Sequence, residues 1–138
     1  MTNGRRKGAD GEREFSTALA DVLGVRLVRR LDQCRGGGHD LEPDPNDESA
    51  AARHLRRYAV EVKRHRTAPT AAVAAWWAQA VRQADAARLA PLLAYRADRQ
   101  PWHVVVPLVE LAPDAVPVEA VPHMATLSLA GFAATVRL

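Results

Sequence analysis

Cysteine is almost missing from this chain: Cys34 is the only one in 138 residues. A lone thiol excludes an internal disulfide and a cysteine-built metal site, so any metal here should be oxygen-ligated, and a reducing compartment fits. Long apolar runs are missing too. Nothing approaches the roughly 20 residues that a membrane-spanning helix needs, and the polar, basic opening Met1 to Lys7 is not followed by an apolar segment. The expectation is a soluble, unexported protein with no membrane partner. There is no internal repeat and no nucleotide-binding glycine fingerprint. Residues 43–54 contain Asp44, Asp47 and Glu48 but lack the ligand spacing and central glycine of a calcium loop.

What is present suits one domain, residues 1–138. With 48% hydrophobic residues the chain can bury a sizeable core. The net charge is only +3, yet residues 1–66 carry 14 Lys/Arg against 11 Asp/Glu, while five of each follow. Arg5, Arg6, Lys7, Arg29, Arg30, Arg35, Arg64 and Arg66 therefore crowd the half that also holds the candidate chemical groups. A polyanion approaching that half would account for the bias, and a solvated basic surface would account for it equally.

Residues 9–23 have a helical pattern, with Phe15, Ala18, Leu19, Val22 and Leu23 on one face and Gly24 as the stop. Glu12, three and seven residues before Phe15 and Leu19, projects from the side of that apolar stripe. Glu14 aligns with Ala18 and Asp21 on a more polar side. Val25 to Arg30 reads as a strand and residues 31–38 as a loop with three consecutive glycines; a second strand starts near His39. Residues 43–54 read as a mobile hairpin tip. Pro69 and Thr70 introduce a second helix to about Arg88, with Val73, Trp77, Ala80, Ala84 and Ala87 in one stripe. Trp76, Gln79 and Gln83 form a neighbouring stripe. Gln79 and Gln83 are placed to reach a phosphate or a metal-bound water, or simply form a polar helix edge. Pro91 to Tyr95 and Trp102 to Val106 are two further strands across a turn. Four prolines in residues 107–123 exclude a long regular element there, and Leu127 to Val136 reads as a short terminal helix. The element order implies an α/β domain with a central mixed β-sheet of about five strands flanked by α-helices.

The chemistry concentrates on Tyr58-Ala59-Val60-Glu61-Val62-Lys63. Alternation sends Tyr58, Val60 and Val62 to one face and Ala59, Glu61 and Lys63 to the other. Hydrolysing a phosphodiester requires an activated water, charge neutralisation at phosphorus and help for the leaving oxygen. Carboxylates that hold a divalent ion meet these needs, and a lysine adds a positive donor that does not compete as a ligand. Glu12, Asp40 and Glu61 supply the carboxylates and Lys63 the ammonium. A strand Glu-x-Lys alone is more often the mark of a cross-strand ion pair.

Arg6-Lys7-Gly8 with Glu12-Arg13, then His39-Asp40, then Glu61-Val62-Lys63, in that order, resembles the PD-(D/E)XK nucleases, and within them the archaeal-type Holliday junction resolvases and their bacteriophage relatives. The resemblance covers residues 5 to 107 and implies a restriction-endonuclease-like core. It implies that Asp40 and Glu61 are metal ligands, with the Val62 carbonyl and Glu12 completing the site, and that Lys63 contacts phosphate or water. The implied cofactor is Mg²⁺, with Mn²⁺ as substitute. The implied partner is DNA, in particular four-way junctions or other branched DNA, cut by a homodimer in the cytoplasm of a bacterial cell or phage-infected host. His39 stands where family members often have proline. Residues 107–138 match nothing recognisable, and dimer contacts are the role expected of them; Trp76, Trp77 and Trp102 suit either an interface or the core. A repair- or restriction-type nuclease acting on other DNA, and a non-catalytic nucleic-acid-binding module, are the alternatives.

Overall fold

The computed structural model of the protein describes residues 2–29, 41–114 and 123–137, with side chains from residue 8 onward. Helix α1 (Thr2–Leu23) ends where Gly24, at φ +69°, turns into the left-handed region and donates its N–H to the Ala20 carbonyl at 2.8 Å. Strand β1 (Leu27–Arg29) pairs antiparallel with β2 (Leu41–Pro43), and β2 meets β3 (Tyr58–His65) with Leu41 opposite Val60. Helix α3 (Thr70–Ala87) carries the chain from β3 to its parallel neighbour β4 (Ala90–Ala97), and β5 (His103–Pro107) returns antiparallel. The expected α/β architecture is present: a mixed sheet in the order β1-β2-β3-β4-β5-β6 with helices on both faces.

Two regions depart from the expectations. Residues 43–54 are not a hairpin tip, because α2 (Ala50–Leu55) begins inside them. Ser49 caps this helix by accepting the Ala52 N–H at 3.1 Å, while the Asp44 and Asp47 carboxylates accept the N–H groups of Asn46 and Ser49 at 2.9 Å each. The acidic residues that looked like a loop are thus turn and cap residues, and Ala52 and Leu55 bury the helix against the sheet. The chain end also holds an unexpected sixth strand, β6 (Met124–Ser128), which pairs with β5 before α4 (Leu129–Val136) starts. Ser128 is both the last strand residue and the N-cap, accepting the Gly131 N–H at 3.0 Å. With alternate residues exposed at the sheet edge, Met-Ala-Thr-Leu-Ser carries a weak strand signature. A 3₁₀ turn, Leu108–Glu110, lies in the described part of the proline-containing stretch.

The sheet divides the core in two. Phe15 and Leu19 of α1, Leu55 of α2 and Phe132 of α4 pack on Tyr58, Val60, Val62, Leu92 and Val104. On the other face Trp77 and Ala80 of α3 pack on Leu93 and Val105. Trp102 is core as well, its ring 5.2 Å from Phe15. At Gly11 helix and sheet nearly touch: a Cβ there would lie 2.9 Å from the Arg64 Cβ. That contact fixes the height of the neighbouring Glu12 above the sheet.

Candidate active site

Glu61 and Lys63 point to the face covered by α3, since Val60 and Val62 belong to the α1 side of the core and Glu61 lies beside Leu93 in register. The Lys63 Nζ lies 3.1 Å from the Glu61 Oε1, and the glutamate is only 4% exposed. A carboxylate is rarely buried so deeply without a partner, because removal from water penalises the charged form. Lys63, at 21% side-chain exposure, still reaches solvent. The pair therefore has a dry acid and an accessible cation.

Glu12 comes from the other side. Its Oε2 lies 3.2 Å from the Arg29 Nε, and both residues line an open pocket with Arg13, Ser16, Leu27 and Leu41. Ser16 fixes the local helix by donating its hydroxyl to the Glu12 carbonyl at 2.8 Å. Leu41 connects the two groups, lining the Glu12 pocket and facing Val60, the residue before Glu61. Asp40, the residue before Leu41, lies outside the described residues, as do His39, Arg30, Arg35 and the loop 31–38; the side chains of Arg5, Arg6 and Lys7 do too. Among the described residues no three His, Cys, Asp or Glu side chains come together closely enough to hold a metal ion.

Arg64 takes part in an internal network. Its Nε lies 3.1 Å and its Nη2 3.8 Å from the carboxylates of Glu14 and Asp98, and the Arg96 Nη1 lies 3.5 Å from Glu14. Arg96 also sits over the Trp102 ring at 5.9 Å. The network ties α1 to β3 and β4 within one helical turn of Gly11 and Glu12, a positioning role that sequence spacing does not reveal because its members on α1, β3 and β4 are dozens of residues apart. Gln79 and Gln83 are half-buried on α3, and the buried Gln83 Oε1 accepts no hydrogen bond from the described residues.

Alternation does offer a signal for a further group, since 61, 63 and 65 share a face. The His65 ring stacks on Trp76 with centroids 4.6 Å apart; Trp76 is 6.1 Å from Tyr95, which stacks on His103 at 5.1 Å. No described helix is long and apolar enough to cross a membrane.

No curated protein matches the chain. The family model of the phage putative PDDEXK endonucleases matches residues 3–130, which contain every charged group described above. A buried Glu-x-Lys strand in a mixed sheet packed by a glutamate-bearing first helix fits that match, and the chain belongs to this family of PD-(D/E)XK nucleases.

Proposed function

We propose that the protein is a Mg²⁺-dependent endonuclease selecting DNA by structure, with four-way junctions and other branched DNA as substrate, and that it acts as a homodimer nicking two strands. The observation that carries the catalytic part is the buried Glu61 carboxylate held 3.1 Å from the accessible Lys63 ammonium on one face of β3. The junction and the dimer are supported by the resemblance of the motif order to junction resolvases.

The donors present suit a hard divalent cation, because the carboxylates of Glu12 and Glu61 and the carbonyl of Val62 offer only oxygen. With Asp40 they would hold Mg²⁺, or Mn²⁺ in its place. A bound divalent ion supplies charge neutralisation at the phosphate and a water acidic enough to react near neutral pH. Lys63 has three N–H donors and one faces Glu61, so the others are available to a non-bridging phosphate oxygen. Burial makes the Glu61 carboxylate depend on a positive partner or a cation beside it. Arg29, 64% exposed, exchanges its Glu12 partner for a backbone phosphate at little cost. Gln79 and Gln83 are auxiliary groups on the helix that covers this face.

The test compares a labelled immobile four-way junction with a linear duplex of matched sequence, in Mg²⁺ and in EDTA, for wild type, Asp40→Asn and Glu61→Gln. Paired symmetric nicks that need Mg²⁺ and both acids are expected. Equal cutting of both DNAs would reassign the enzyme to the repair or restriction type. DNA binding without cleavage in any metal would make it a non-catalytic binding module.

A further inference from the structure

We infer that the series His65, Trp76, Tyr95 and His103 is a stacking site for an unpaired DNA base next to the scissile phosphate, an inference that rests on the nuclease reading above. Two observations on different scales lead there. The chain has seven Phe, Trp and Tyr residues. Phe15, Tyr58, Trp77, Trp102 and Phe132 are buried in the core, and the remaining two, Trp76 and Tyr95, both belong to this series. The aromatic surface that the fold leaves partly open is therefore gathered in one place.

That place is beside the candidate chemistry. Tyr95 is the register partner of Lys63, and His65 follows Lys63 on the same face of β3, roughly 6.6 Å further along the strand. A phosphate held by Lys63 puts its neighbouring nucleotide within reach of His65 and Trp76. The rings are oriented to receive one: His65 lies at 22° to Trp76, and Tyr95 at 25° to His103. His65 is exposed at the end of the series. A base extends the stack over His65 and closes the exposed end of the series beside the indole.

Charge supports a nucleotide rather than an apolar peptide as occupant. Arg66 and Arg99 are exposed at the two strand ends beside the series, where the turn after β4 is tied to β3 by the Asp98 N–H donating to the His65 carbonyl at 3.0 Å. In a duplex the bases are stacked on each other and present only edges, so a ring platform selects single-stranded or splayed nucleotides without reading sequence. Such nucleotides occur at branch points, which gives the structural selectivity a physical source.

The full chain in EDTA, where no cutting occurs, is titrated with a labelled single-stranded oligonucleotide of about ten deoxythymidines and with a linear duplex. Quenching of tryptophan emission by the single strand is expected. His65→Ala should weaken single-strand binding roughly five- to a hundred-fold, the range for loss of one stacked base, and change duplex binding less than about two-fold. His65→Tyr should restore it, which a lost charge or a lost fold would not allow. Single-strand affinity unchanged in His65→Ala, or lost equally for duplex, or not rescued by His65→Tyr, would overturn the inference. Because binding is measured without metal, the result is independent of whether wild type cuts DNA, and a failure of the nuclease reading shows separately as absent cleavage in Mg²⁺.

Discussion

Lys63 and Arg64 are adjacent on β3, yet alternation sends one under α3 and the other under α1, and the two surroundings differ in kind. Lys63 meets one buried carboxylate and keeps access to solvent. Arg64 is held by Glu14 and Asp98, and Glu14 in turn holds Arg96. The second group pairs its charges with one another and closes α1 onto the sheet. The first leaves a cation facing outward over a dry acid. Charged residues with equal weight in a composition count thus divide into a clamp and the pair proposed to react, and the strand's two-residue period does the sorting.

The largest effect should come from the reactive pair. Glu61→Gln keeps the shape but removes the charge, and cleavage should fall on the order of 10³-fold, as when a preorganised charged group is lost from a reacting centre. The melting temperature should move by less than about 4 °C, since removing the charge of a buried carboxylate also removes its desolvation cost, which offsets the lost pairing with Lys63. Single-turnover cleavage beside thermal melting reads both. A large fall in melting temperature with unchanged cleavage would reverse the roles of the two faces.

The clamp predicts the opposite pattern. Gly11→Ala puts a methyl 2.9 Å from the Arg64 Cβ, a group too close to the backbone to swing away. Overpacking of this kind costs about 1–3 kcal/mol, partly offset by the roughly 1 kcal/mol that alanine adds to a helix interior. Gly8→Ala is the matched control, because nothing lies within 4 Å of its added Cβ, and it should stabilise. Glu14→Gln follows at about 1 kcal/mol, with Arg64 and Arg96 losing their shared partner. Denaturant midpoints should order these as Gly8→Ala, wild type, Glu14→Gln, Gly11→Ala. Equal midpoints for the two glycine variants would remove the close approach of α1 to β3 from the account.

The contrast between faces was half legible in the sequence. Tyr58, Val60 and Val62 against Glu61 and Lys63 is a local alternation, so β3 and its polar face could be read directly, as could the apolar stripes of α1 and α3. The clamp was not, because Glu14, Arg64 and Arg96 meet only when two strands and a helix come together. Arg64, read from its position as a basic residue near the chemistry, is bound inside the molecule. Ser49 and Ser128 concealed α2 and β6 for a related reason: one serine can end a strand, form a turn or cap a helix, and tertiary packing of Leu55 or pairing with β5 decides between them. Asp40 remains a residue of the sequence argument, outside the described residues.

Tyr58 extends the comparison to the start of the same strand, on the structural face, and has the smallest effect at neutral pH. Its ring is 3% exposed and lies 6.0 Å from Phe132 and from His54. Burial first, and the Glu110 carboxylate second, push its hydroxyl up from 10.0 to about 12, against a smaller opposing pull from Arg57. The folded chain therefore holds this proton more tightly than the unfolded chain does. The resulting stability is fully present below pH 10 and is lost as pH rises through 10 towards 12. Tyr58→Phe has no such proton to lose. Its melting temperature should track that of wild type up to about pH 10 and then fall less steeply, with the gap between the curves widening to about pH 12. Parallel curves across that window would mean that Tyr58 ionises as freely in the folded protein as in the unfolded chain, and that the α1 face of β3 is open to solvent at the strand's start.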